Sequence, residues 1–367
     1  MEGFISADSH IVEPGNLWVE RVDQRFRERA PRIESRADAD YMIAEGLPPM
    51  SGADLAGGMA NDKVEGRPLD RSRNRYANVR AGATDPALRL ADQDLDSIQA
   101  EVIYPNSALL LMAVPDAELK RECLRVYNDW LAEFCSYAPK RLFGVGVLPV
   151  GGPVEWAIEE AHRVARLGLV SVMLPSGQIK KPYGDPYYDK LWDALADLGL
   201  PVALHVGATE QPMEDKSGTL ISWMVDFKLA NHVRTLANLV SSAIPERYPK
   251  LNFVMAEGGI GWVAVVARLM DHIWEDHHGW IQPKLKEPPS SYCQRQVYFT
   301  FEDDRPGLLT RELLNIEHLM WGSDYPHTEG TFPSSRKTIE HDFGGIPPQD
   351  ARLITGGNAA RLYGIAS

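Results

Sequence analysis

Cysteine is scarce in this chain, with three in 367 residues: Cys123, Cys135 and Cys293. None stands in the close-paired spacing of a zinc ribbon, and an odd number cannot close into a disulfide set. Cys123 falls in a helical apolar stripe with Leu119, Val126, Tyr127, Trp130 and Phe134, so it reads as core. Excess positive charge is also lacking: 38 Lys and Arg stand against 51 Asp and Glu, a formal net charge of −13. That balance argues against nucleic acid as a partner, because such binding depends on neutralising phosphates, and it gives little hold on an anionic membrane face. No run reaches the ~18 consecutive apolar residues that a bilayer span requires. The start Met1-Glu2-Gly3-Phe4 is not a basic segment followed by an apolar signal, so a cytoplasmic protein is expected. Gly144-Val145-Gly146 lacks the rest of a dinucleotide fingerprint and lies inside an apolar run, giving no support to a nicotinamide site. Asp92, Asp94 and Asp96 begin like a calcium loop, but the sixth position is Ser97 and the twelfth Ile103, so they are expected on the polar face of a helix.

What is present is a composition of 44% hydrophobic and 24% charged residues, ordinary for a globular protein. Eight short β-rich runs recur, at 4–7, 101–104, 143–148, 169–174, 202–206, 252–256, 297–300 and 318–321. Helix-length segments separate them at 116–138, 154–167, 186–198, 220–244 and 260–272. Continuously apolar strands alternating with helices predict a parallel sheet covered on both faces, and eight such units predict an α/β fold closed as a (β/α)₈ TIM-type barrel. The whole chain, 1–367, is expected to be one domain. Residues 31–84 are rich in Pro, Gly and charge without sustained periodicity, and are expected to be a long insertion after the first strand, lying over the barrel mouth. The tail from about Pro333 predicts one or two closing C-terminal helices.

Several strand ends carry groups that suit a divalent metal such as Zn²⁺ or Mn²⁺. Asp8 and His10 stand two apart at the end of the first run, so alternation puts both on one face. His205 ends the fifth run, where a lone buried imidazole would be costly, and Asp324 follows the eighth ahead of the constrained Tyr325-Pro326-His327. The first, fifth and eighth strands of a barrel can bring these four together at its mouth. His327 is a candidate substrate contact, as are Arg73 and Tyr76 in the insertion, where Tyr41, Arg67 and Arg75 offer further aromatic and basic groups for an aromatic or carboxylate substrate. His277 and His278 read as a solvated helix end. His162, His232 and His272 lie within helices and read as packing or surface residues.

These residues sit in segments that resemble a known group. Ala7-Asp8-Ser9-His10-Ile11-Val12-Glu13-Pro14, Leu204-His205-Val206-Gly207, Glu257-Gly258-Gly259-Ile260-Gly261-Trp262, Trp321-Gly322-Ser323-Asp324-Tyr325-Pro326-His327 and Gly357-Asn358-Ala359-Ala360-Arg361-Leu362-Tyr363 are similar to the amidohydrolase-related enzymes, the branch of aminocarboxymuconate semialdehyde decarboxylase and γ-resorcylate decarboxylase. The resemblance covers nearly the whole length. It implies a metal-dependent barrel with Asp8, His10, His205 and Asp324 as ligands, and a homo-oligomer. Decarboxylases of this branch carry a histidine where this chain has Glu257, which could be a metal ligand, a general base, a carboxylate holding another ligand or a cap of the following helix, and that departure favours hydrolysis.

The expectation is therefore a metal-dependent hydrolase acting on a small-molecule carbonyl or carboxylate substrate through metal-activated water. Asp324, Glu257 and His205 would be its catalytic residues. Two alternatives stand beside it: a metal-dependent decarboxylase of an aromatic or unsaturated carboxylic acid, in which Asp324 protonates the carbon that loses CO₂, and a metal-free binding barrel.

Overall fold

The computed structural model describes residues 3–51, 60–70, 72, 75–211 and 219–366. Eight strands form one sheet: β1 (Phe4–His10), β5 (Ile98–Tyr104), β6 (Leu142–Val147), β7 (Ser171–Leu174), β8 (Val202–His205), β9 (Phe253–Ala256), β10 (Val297–Phe301) and β11 (Leu319–Trp321), in that spatial order. Every adjacent pair is parallel. Nearly every residue of these strands is buried. Burial on both faces is what a side-chain-filled interior and an outer layer of helices produce, and it explains why the runs are apolar throughout rather than alternating.

The seam between the first and eighth strands is closed by specific bonds. The Asp324 N–H donates to the Asp8 carbonyl at 2.9 Å, the His10 N–H to the Tyr325 carbonyl, and the Ser323 N–H to Ser6 Oγ at 2.8 Å. Such close approach needs glycine at 322, where a Cβ would stand 2.6 Å from Asp8 Cβ and 2.9 Å from the Asp8 backbone N and O. A register shift in β1 between Ser6 and Ser9 marks a bulge beside Asp8, a usual device for re-aiming a side chain next to a site. At the opposite end of the barrel, Gly356 packs on Ile5, and Asn358 Nδ2 donates to the carbonyls of Ile316 and Leu319, so the C-terminal segment docks there.

The described residues of the segment 31–84 have more order than its composition predicts. It contains a small antiparallel sheet, β2 (Arg32–Ser35), β3 (Asp40–Ile43) and β4 (Met50–Ser51), and a short helix Ala60–Val64. Ala60, Tyr76, Val79 and Ala83 pack with Val12, Tyr325 and Phe332 in a second apolar cluster, and Lys63 Nζ donates to the Gly330 carbonyl at 2.6 Å. Short polar-edged strands leave little period to read in a sequence, which is why they escape detection there.

Two other expectations change. The helix expected over 220–244 is Leu220–Val225, a π-turn at Asp226–Ala230, and Asn231–Ser241. Asp92 and Asp96 do lie on one helix, Pro86–Asp96, but they are buried rather than solvated. Asp96 accepts from the Ser335 N–H, and Asp92 accepts from Arg80 Nε at 2.7 Å and from the Tyr325 hydroxyl at 2.6 Å. The three cysteines are buried and unpaired.

Arg89 on the same helix is fully buried and links β5, the end of β1 and the segment after β11. Its guanidinium grips both Glu101 oxygens, donates to the His10 carbonyl at 2.8 Å, and lies 4.2 Å from the centroid of the Tyr325 ring. Removing one partner of a buried pair costs far more than the pair contributes, because the other charge is stranded. Arg89→Met is expected to lower unfolding free energy by about 3–5 kcal/mol in urea titration. A loss below about 1 kcal/mol, the range of a surface pair, would show that this pair does not brace the strands.

Candidate metal and active site

β1 delivers Asp8 and His10, β8 ends in His205, Glu257 follows β9, and Asp324 and His327 follow β11. All lie at the C-terminal ends of the barrel strands, and Asp8, His10, His205 and Asp324 are completely buried. The two imidazoles are oriented alike. His10 Nδ1 is 2.8 Å from the Pro105 carbonyl and His205 Nδ1 is 2.7 Å from the Val206 carbonyl, which assigns the proton to Nδ1 and leaves each Nε2 with a lone pair facing the site. Among the described residues neither Nε2 has a hydrogen-bond partner, and the same holds for Asp8 Oδ1 and Asp324 Oδ2. Buried polar atoms are seldom orphaned without cause, and so many in one place point to a ligand.

The separations have the size that metal ligands adopt. His10 Nε2 is 3.8 Å from Asp8 Oδ1, 3.5 Å from Glu257 Oε2 and 3.5 Å from Asp324 Oδ1, while His205 Nε2 is 3.6 Å from Asp8 Oδ1 and 3.5 Å from Glu257 Oε2. Two atoms each about 2.1 Å from a shared ion at a roughly tetrahedral angle are about 3.4 Å apart. Among the described residues two groups with mutually close ligand atoms result, Asp8 with His10 and His205, and His10 with Glu257, Asp324 and His327; His10 belongs to both. The donor set of imidazole nitrogens and carboxylates fits a divalent ion such as Zn²⁺ or Mn²⁺.

Electrostatics follow from this crowding. Burial, then the neighbouring His327, holds the His10 imidazole below its usual range. Burial also pulls on His205, but the Asp8 and Glu257 carboxylates outweigh it and bring that imidazole up to about 9. A cation among these carboxylates would displace that proton, since ligation requires neutral imidazole. Burial and the Glu257 charge push the Asp324 carboxyl well above the ordinary carboxylate range. Burial works in the same direction on Glu257, yet Lys228, with Nζ 2.9 Å from Oε1, holds Glu257 well below that range. Glu302, at the end of β10, is pushed up to about 8 by burial, against the pull of Lys228.

The backbone is strained at two of these positions. Glu257 has φ 63° and Asp324 φ 52°, the left-handed region that favours glycine and is retained elsewhere mainly where surrounding structure demands it. Thr300 on β10 supplies part of that demand: its Oγ1 accepts from the Glu257 N–H at 2.7 Å and donates to Asp8 Oδ2 at 2.6 Å.

His327 reaches the pocket. Its ring stacks on His10 with centroids 4.0 Å apart, its Nδ1 is 2.9 Å from Asp324 Oδ1, and its Nε2 is 3.2 Å from Asn106 Oδ1. Tyr76 instead packs in the apolar cluster around Val12, and Arg73 lies outside the described residues. Tyr41, Arg67 and Arg75 are engaged within the insertion, by Asp38, by Asp62 and Glu65, and by Asp40 with the Arg36 carbonyl. His277 ends the outer helix Val263–His277, His278 is exposed beyond it, and His162 and His272 are exposed on helices. His232 is buried against Gly258. A groove of about 350 Å³ lined by Val263, Ala267, Cys293 and Leu319 lies by the N-terminal ends of β10 and β11, away from these ligands.

Sequence reasoning missed Thr300, Lys228 and Glu302. Thr300 and Glu302 follow the rule that located the others, polar groups at the end of an apolar strand. Lys228 gives no such signal, because the π-turn that places it is not periodic.

Parallel strands whose C-terminal ends gather imidazoles and carboxylates into one buried pocket define a (β/α)₈ barrel of the metal-binding kind. The chain belongs to the amidohydrolase family, whose profile matches residues 111–365. It is 26% identical over 303 residues to the γ-resorcylate decarboxylase of Rhodococcus jostii, covering 75% of this chain and 86% of that protein. Its fold is shared by an amidohydrolase of Mycobacterium avium subsp. paratuberculosis, with a TM-score of 0.78 at 20% identity over 98% of this chain and 99% of the other. It is shared too by a dihydroxybenzoic acid decarboxylase of Polaromonas, solved with bound manganese and the inhibitor 2-nitroresorcinol, with a TM-score of 0.67 at 18% identity over 100% and 98% of the two chains.

If Thr300 orients the Asp8 carboxylate toward an ion, Thr300→Val should weaken Mn²⁺ uptake by about 10- to 100-fold, the usual cost of losing a group that holds a ligand. Titration of chelator-treated protein measures this. Unchanged affinity in a folded variant would remove Thr300 from the site.

Proposed function

We propose that this chain is a metal-dependent decarboxylase of an aromatic or unsaturated carboxylic acid. The observation that carries the reading is the pocket of orphaned Nε2 and carboxylate atoms in a chain related to a γ-resorcylate decarboxylase. This relationship supports decarboxylation better than the hydrolysis expected from Glu257. The orphaned atoms weigh against a metal-free binding barrel, which would leave them without a partner.

In this reading Asp8, His10, His205 and Asp324 hold one Mn²⁺ or Zn²⁺. When bound, the ion would supply positive charge that attracts and balances the substrate carboxylate. Asp324 gives a proton to the carbon bearing the carboxylate. The bond to that carboxylate then breaks, its electron pair returns to the unsaturated system, and CO₂ leaves. His327, with Nδ1 2.9 Å from Asp324 Oδ1, is placed to pass a replacement proton to Asp324. Trp223 and Phe227 stack with centroids 4.8 Å apart, and Phe227 lies against Gly207 just past His205, an aromatic surface suited to a planar substrate.

The reading extends to the insertion 31–84 as a cover over the barrel mouth that helps select the substrate. The packing of Ala60 and Tyr76 on Val12 and Tyr325 supports it. It also includes a homo-oligomer with the insertion near the subunit contact, supported by the exposed Val64 and Leu69, and a cytoplasmic location. Among the described residues no helix is long and apolar enough to cross a membrane.

Metal-loaded protein offered hydroxybenzoic and unsaturated carboxylic acids is expected to release CO₂ stoichiometrically with the decarboxylated product. Chelation should abolish the release and Mn²⁺ or Zn²⁺ restore it. Cleavage of acyl compounds without CO₂ from any acid would return the chain to hydrolysis. Asp324→Asn should lose turnover by at least the ~10²-fold typical of a positioned acid while losing less metal affinity. Retained turnover with metal in place would move proton transfer to another group.

A further inference from the structure

Glu257 is placed as Asp8 and Asp324 are. Its Oε2 stands 3.5 Å from Nε2 of His10 and 3.5 Å from Nε2 of His205, the two imidazole atoms that lack a hydrogen-bond partner among the described residues. Asp8 Oδ1 approaches the same two atoms at 3.8 and 3.6 Å, and Asp324 Oδ1 approaches His10 at 3.5 Å. By separation alone Glu257 is as well placed for a shared ion as either aspartate.

Its setting adds to this. A residue with a Cβ is held at φ 63° by the Thr300 hydroxyl that also orients Asp8, so one side chain fixes both carboxylates. The other Glu257 oxygen, Oε1, is taken by Lys228 at 2.9 Å. Lys228 sits in the π-turn Asp226–Ala230, and such single-turn insertions in helices occur frequently at functional sites. Its side chain is only 24% exposed, a costly place for an ammonium unless the carboxylate it faces must be held and balanced. With a divalent ion present, Asp324 ionised and Glu302 protonated, the charges of Asp8, Glu257, Asp324, Lys228 and the ion cancel; in the same state without Lys228 the pocket would carry one uncompensated negative charge.

We propose that Glu257 is a fifth protein ligand of the ion, through Oε2, and that Lys228 is its positioning residue, binding Oε1 and neutralising the added charge. This rests on the metal-dependent reading above. Three carboxylates and two imidazoles make the set richer in oxygen than a four-ligand site, which suits Mn²⁺ better than a tetrahedral Zn²⁺.

The test uses full-length protein stripped with chelator, in which Mn²⁺ binding is followed by loss of the free-ion paramagnetic resonance signal and coordination by the visible spectrum of the Co²⁺-loaded form. Wild type is expected to take up one ion. Glu257→Gln should weaken Mn²⁺ binding by about 10-fold or more and change the Co²⁺ spectrum, and Glu257→Asp, which shortens the reach, should do likewise if the amide variant does not fold. Lys228→Met should also change the Co²⁺ spectrum, because Oε1 is freed to turn toward the ion, while Lys228→Arg keeps the wild-type spectrum. Wild-type affinity and spectrum in a folded Glu257 variant would overturn the ligand assignment, and a wild-type spectrum in Lys228→Met would overturn the positioning role. Wild-type protein that takes up no ion would overturn the metal-dependent reading itself, and this inference with it.

Discussion

The hydrogen bond from the Asp324 N–H to the Asp8 carbonyl joins the two ends of the sheet, and the site depends on it. Asp8 and Asp324 are more than three hundred residues apart in sequence, and the barrel places both beside His10 only because its first and last strands meet. The seam is tight enough to require Gly322, and it is braced from outside by Arg89, which binds Glu101 of β5 and the His10 carbonyl while covering Tyr325. The second apolar cluster ties the insertion to the same edge through Val12 and Tyr325.

That closure concentrates charge where solvent cannot relieve it. Asp8, Asp324 and Glu257 share a pocket with two buried imidazoles, and taking ions out of water costs several kcal/mol each unless they are paired. Lys228 offsets one carboxylate directly. The remaining negative charge and the unused Nε2 atoms are together the complement of a divalent cation, so the arrangement makes physical sense as a receptor for one. The opposed shifts of Asp324, raised, and Glu257, lowered, express the same imbalance, with Lys228 placed against only one of them.

Much of this was legible in the sequence, and the reason is periodicity. Barrel strands buried on both faces are continuous apolar runs, so eight of them could be counted, and Asp8, His10, His205 and Asp324 were conspicuous as polar residues ending such runs. The small β2–β4 sheet was not legible, because its strands are short and partly exposed. Lys228 was hidden by a π-turn in what reads as one helix, and without it Glu257 looked like an isolated departure that favoured hydrolysis. The same limit explains Asp92 and Asp96: a helix face rich in aspartate looks solvated until Arg80, Tyr325 and Ser335 are seen to cover it.

The pocket beside the seam is built to hold one divalent ion. Anomalous diffraction at the manganese edge, from crystals grown with Mn²⁺, tests it most directly. A single strong peak is expected about 2.0–2.2 Å from the Nε2 atoms of His10 and His205 and bounded by the Asp8 and Asp324 carboxylates. No peak there, or a peak only at exposed residues such as His277 and His278, would contradict it.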